Sequence, residues 1–160
     1  MEQPKLNENP TVYAVQERRR EVVVAEYADE DARELFDAAE VFELIHDIQD
    51  PEHPLSLQQL NVVEAGNCHV DNDKSLVEIF FTPTVPHCSM STLIGLSIRV
   101  KLLRSLPSRF KVDIYVMPGS HAQEAQVNKQ LNDKERVAAA LENPHLHQVI
   151  NKCLTATLEV

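Results

Sequence analysis

Glycine is scarce in this chain: Gly66, Gly95 and Gly119 are the three among 160 residues. So thin a supply excludes a phosphate-cradling loop and a dinucleotide fingerprint, both of which need clustered glycines for close backbone approach. Cysteine is equally sparse. Cys68, Cys88 and Cys153 are odd in number and far apart. They form no disulfide framework and no Cys-x-x-Cys zinc spacing, and they suit a reducing compartment. No His-Glu-x-x-His pair is present either. No apolar run approaches transmembrane length, and Met1 leads into Glu2-Gln3-Pro4-Lys5 rather than a secretory signal, so no membrane partner is expected. Basic charge is also in deficit. Fifteen Lys and Arg against 25 Asp and Glu leave a formal charge of −10, which argues against direct nucleic-acid binding.

What is present suits one domain with a real core. Residues 1–34 hold no sustained period and read as a flexible acidic tail; residues 35–158 read as the folded domain. Asp37-Ala38-Ala39-Glu40 has capping-box spacing and opens a helix whose apolar face is Val41, Phe42, Leu44, Ile45 and Ile48, stopped by Pro51. Two strand-like runs, 62–70 and 75–82, flank a turn at Asp71-Asn72-Asp73-Lys74. A long helix capped by Ser89 or Ser91 follows, apolar around most of its circumference, as expected of an element buried in a core or interface. Residues 110–116 alternate as a third strand. Asn132-Asp133-Lys134-Glu135 and Asn143-Pro144 open two further helices. The expected fold is α+β: a small, mostly antiparallel sheet with helices packed on one side.

Chemistry points to Cys88. It is placed at a strand-to-helix junction beside His87, with Pro83 and Pro86 stiffening the approach, and a helix N-terminus and a neighbouring imidazolium both favour thiolate. The plainer alternative is a cysteine that fills the base of the helix. Cys68 and Cys153 read as core. A cysteine hydrolase would need a distant histidine, with His46, His53 and His121 as candidates. Charge is unevenly placed. Residues 26–52 hold eleven carboxylates against one cation, Arg33, whereas Arg99, Lys101, Arg104, Arg109 and Lys111 follow one another with no acid between. These runs are either solvated faces or docking surfaces for different partners, with Arg99, Lys101 and Arg104 as partner-binding candidates.

Four strings carry a resemblance: Asp50-Pro51-Glu52-His53-Pro54-Leu55; Phe80-Phe81-Thr82-Pro83-Thr84-Val85-Pro86-His87-Cys88; Lys101-Leu102-Leu103-Arg104-Ser105-Leu106-Pro107; and Val127-Asn128-Lys129-Gln130-Leu131-Asn132-Asp133-Lys134-Glu135-Arg136-Val137. Together they resemble the adaptor subunit of the cytosolic iron–sulfur assembly targeting complex, a family related to the bacterial SufT- and PaaD-like proteins. The likeness covers residues 35–157. It implies a non-enzymatic scaffold between a WD-repeat propeller and a HEAT-repeat protein, delivering iron–sulfur clusters to cytosolic and nuclear apoproteins. It also implies chromosome-segregation phenotypes through those clients, residence in cytoplasm and nucleus, and dimerisation. On this resemblance Cys88, within Pro86-His87-Cys88, is the reactive thiol and the candidate for a transient contact with a cluster or metal, with no cofactor held tightly. The alternative is a small thiol- or metal-dependent enzyme using Cys88 and a distant histidine.

Overall fold

A computed structural model describes residues 10–13, 35–84 and 88–155, with the side chains of Cys88 and Ser89 outside that description. The tail read over residues 1–34 therefore lies outside it, except for 10–13. There the Tyr13 N–H donates to the Gln59 carbonyl at 2.7 Å. Among the described residues the order is α1 (Ala38–Ile45), a 3-10 turn (Ala65–Asn67), β1 (Cys68–Asp71), β2 (Leu76–Phe81), α2 (Cys88–Ser105), β3 (Lys111–Val116), α3 (Glu124–Asn132), α4 (Lys134–Glu142) and α5 (Pro144–Thr155).

The α+β reading holds, and the sheet under it is mixed rather than mostly antiparallel. β1 pairs antiparallel with β2, setting Cys68 opposite Ile79. β2 pairs parallel with β3, from Leu76 opposite Lys111 to Phe81 opposite Val116. The cause is the length of α2. A helix of 18 residues carries the chain back to the end from which β2 began, so the next strand runs the same way as β2.

One sheet face is core. Val77, Ile79 and Phe81 of β2 and Val112, Ile114 and Val116 of β3 are buried under the helices. The other face is half-buried, with Phe80 stacked on Tyr115 at 5.3 Å and His69 edge-on to Phe80 at 5.8 Å. Helix α2 is the hub, packed against β3, α1, α3 and α5. Its Ile94, Leu96, Ile98 and Leu102 are buried, as the continuous apolar pattern anticipates.

Local signals match the structure unevenly. Asp37 caps α1, its Oδ1 accepting the Glu40 N–H at 2.8 Å, and Asn143 Oδ1 accepts the His145 N–H at 3.0 Å at the start of α5. The strand expected over 62–70 contracts to β1. Val62 and Val63 are buried in a loop instead, where the Val62 carbonyl takes the Thr82 N–H at 2.9 Å. α4 is capped by Asp133 alone, whose Oδ1 accepts the Glu135 N–H at 3.0 Å. Asn132, expected in that cap, is the last residue of α3, a helix the sequence pattern did not announce.

α3 seals the outer edge of β3. Asn132 Oδ1 accepts the Ile114 N–H at 2.9 Å while its Nδ2 donates to the Ile114 carbonyl at 2.8 Å. One turn earlier Asn128 Oδ1 accepts the Val116 N–H at 2.7 Å. Two amides four residues apart thus satisfy backbone groups that a bare edge strand would offer to another chain. The approach depends on Gly95 of α2, because a Cβ there would fall 2.6 Å from both Leu131 methyl carbons.

Candidate functional site

The β2–α2–β3 crossover brings the carboxyl ends of two parallel strands and the amino end of α2 to one rim, the usual location of sites in parallel sheets. The Met117 N–H donates to the Phe81 carbonyl at 2.8 Å where the strands end together. Cys88 is the first residue of α2, so it stands within the first turn rather than ahead of it, and Ser89 and Ser91 fall inside the helix too. That turn carries the positive end of the helix dipole. His87 lies outside the described residues, as does the thiol itself. Helix α2 is held from the next turn onward: Ser91 is buried, and Thr92 Oγ1 donates to Gln130 Oε1 at 3.1 Å.

Of the three candidate histidines, His121 is carried by the loop that leaves the carboxyl end of β3. Gly119, at φ +80°, turns this loop in a conformation glycine adopts without strain, and its N–H donates to Glu124 Oε2 at 2.8 Å. His121 is 6 % exposed. Its Nδ1 accepts the Gln123 N–H at 2.9 Å, which puts the neutral ring's proton on Nε2, a buried atom with no partner. His46 is engaged elsewhere, with Nδ1 3.0 Å from Gln58 Oε1 and its ring stacked on Phe42. His53 is buried and lines a cavity of about 180 Å³ with Asp50, Glu52, Lys152 and Cys153. Burial raises the Asp50 carboxyl above the ordinary range, opposed by the Glu52 and His53 N–H groups that donate to it.

The other two cysteines are core residues, as read. Cys68 Sγ lies 3.5 Å from the Glu64 carbonyl oxygen. Burial pushes the Cys153 thiol up to about 11, so it stays protonated at neutral pH. Among the described residues, no three His, Cys, Asp or Glu side chains are placed to hold a metal ion. No helix among them is long and apolar enough to cross a membrane.

The three basic candidates separate. Arg99 turns inward, its Nη1 donating to the Val112 carbonyl at 2.8 Å and its Nη2 to Asn132 Oδ1 at 2.9 Å. Burial lowers its pKa, opposed by the nearby Asp113 carboxylate. Lys101 is half-buried and Arg104 exposed, and neither shares Arg99's surroundings. Arg99 instead lines a groove with Arg109, Lys111 and Lys134. Sequence reading missed Lys134 because it belongs to a later helix. It also missed Asn128 and Asn132, whose spacing of four beside Val127 and Leu131 was the available signal for α3.

A family model described as iron–sulfur cluster assembly protein matches residues 38–116, from the start of α1 to the end of β3. The chain is 58 % identical over 150 residues to cytosolic iron-sulfur assembly component 2B of Mus musculus, covering 94 % of this chain and 91 % of that protein. It is 58 % identical over 151 residues to MIP18 family protein galla-2 of Drosophila melanogaster, covering 94 % and 95 %. It is 49 % identical over 157 residues to cytosolic iron-sulfur assembly component 2B of Dictyostelium discoideum, covering 92 % and 96 %.

Proposed function

Because the chain belongs to the iron–sulfur cluster assembly protein family, we propose that it is a non-enzymatic adaptor helping to deliver clusters to cytosolic and nuclear apoproteins, with Cys88 as its functional thiol. Relatives named as cytosolic iron-sulfur assembly components support the cytosolic setting. The partners proposed are a WD-repeat propeller protein, a HEAT-repeat protein, the apoprotein clients and a second copy of the chain. Docking of the first two is assigned to the surfaces around the acidic and basic runs.

The observation that carries the thiol role is the position of Cys88 at the first residue of a long helix, on the rim where two parallel strands end. A thiolate there can supply one ligand to a cluster in transit. A cluster normally takes four ligands, and Cys68 and Cys153 are buried in the core, so the remaining ligands come from the donor, the client or a second copy. The cluster is cargo here, handed on rather than kept.

Tagged wild-type and Cys88→Ala chains expressed in cells test this, with co-purified proteins and iron incorporation into cluster clients read side by side. The variant is expected to keep its partners and fail to load clients. Full client loading by Cys88→Ala would remove the thiol from the reading, and a wild type that captures neither repeat protein would remove the adaptor role. One observation favours a thiol enzyme instead: the buried, unpartnered Nε2 of His121 at the same rim. Ester or thioester turnover by the isolated chain, abolished by both Cys88→Ala and His121→Gln, would establish that alternative.

A further inference from the structure

We propose that the groove at the carboxyl end of α2 docks an acidic segment of a partner protein in which carboxylates alternate with aliphatic side chains. The groove has a volume of about 520 Å³ and lies between α2, β3 and α4. Among the described residues four cations line it, Arg99, Arg109, Lys111 and Lys134, against a single acid, Asp113, which is 3.9 Å from Lys111 Nζ. In a chain of net charge −10 this concentration runs against the background. Among the described residues the Arg99 guanidinium meets only neutral acceptors at hydrogen-bonding distance, and its buried Nε has no partner. Among the described residues no carboxylate lies within ion-pair distance of Arg99 or Lys134. A partner carboxylate entering the groove would gain charge-assisted contacts with Arg99 and Lys134, which no carboxylate among the described residues reaches at ion-pair distance.

The floor selects for more than charge. Leu103 is 53 % exposed, in a helix whose other large aliphatic residues are mostly buried. It lines the groove with Val137 and Leu141. An aliphatic side chain laid over Leu103 removes apolar surface from water, whereas a sugar–phosphate backbone would leave it uncovered. Complementarity thus favours a peptide bearing both acid and aliphatic groups over nucleic acid. This inference rests on the groove alone and is independent of the role of Cys88.

The test uses the full chain and a labelled soluble peptide alternating Glu with Leu, followed by fluorescence anisotropy, with a Lys–Leu peptide as control. Saturable binding of the acidic peptide is expected, weakening as salt rises. It should weaken by ~10-fold in Lys134→Glu and in Leu103→Ser, a loss of about 1.4 kcal/mol for each. Both positions are exposed, so both variants should fold, and a thermal melt checks this. Absence of saturation, equal binding of the Lys–Leu peptide, or unchanged affinity in both variants overturns the proposal. A third variant converts Glu26, Asp29, Glu30, Asp31 and Glu34 to their amides. If the probe binds only that variant, the groove belongs to the chain's own acidic segment and the partner proposal is overturned.

Discussion

The two ends of α2 differ as much as any two regions of this protein. The amino end carries Cys88 at the rim where β2 and β3 finish, with small polar residues around it and no acid in its first turn. The carboxyl end opens onto a groove of cations over aliphatic floor. Cys88 and Arg99, the first groove residue on the helix, are eleven residues apart, about 16 Å of helical rise. Between them the helix is buried, with Gly95 and Ser97 admitting α3 and α5 closely. On the proposed reading, this buried middle lets the two ends answer to different partners without sharing residues.

The strongest way to break that arrangement is to remove the wall both ends lean on. Asn132→Leu strips the Ile114 N–H and carbonyl of their partners and takes an acceptor from Arg99. Each buried group left unsatisfied costs about 1–3 kcal/mol, so a loss of roughly 3 kcal/mol is expected by chemical denaturation. The exposed edge of β3 should also promote self-association, read by light scattering. A loss below about 0.5 kcal/mol would show that water replaces the amide without penalty.

A smaller effect is expected in the middle of the helix. Gly95→Ala forces the Leu131 methyls aside and should cost about 1–3 kcal/mol, the usual range for overpacking a core. Leu131→Val in the same chain makes room, so the double variant should lose less than the two single losses added together. Strict additivity in denaturation would mean that the two residues do not compete for space.

Smaller still is the contrast between thiols. Cys88 should be alkylated by iodoacetamide at neutral pH while Cys68 and Cys153 resist until the chain unfolds, as read by mass spectrometry of each site. The raised pKa of Cys153 carries a sign. The folded state holds this proton more tightly than the unfolded one, so its contribution to stability is complete below the ordinary thiol range. That contribution is lost as pH rises towards about 11. Cys153→Ala should flatten this alkaline loss of stability; an unchanged profile would assign the loss to other groups.

Much of this was legible in residue order because the deciding forces are local. A cap is a side chain within three residues of the N–H it accepts, so Asp37 and Asn143 were readable. The buried state of α2 was readable because apolar residues cover most of its turns. α3 was not. Only Val127 and Leu131 mark its buried face, and the amides that justify it bond to a strand 12 and 18 residues earlier. The candidate site divides similarly. Cys88 was singled out from its neighbours in sequence, whereas grouping Arg99 with Lys134 required α2, β3 and α4 to border one groove.

Composition and local pattern by themselves determined that this is an α+β domain with three widely spaced cysteines and a strongly uneven charge. Those properties depend on residue type and on interactions reaching four residues or fewer along the chain. Tertiary structure alone decided that β2 and β3 run parallel, that α3 closes the sheet edge, and which cations share one groove. Each of these depends on atoms distant in sequence. They become neighbours only when burial of the common apolar face fixes how the helices lie on the sheet.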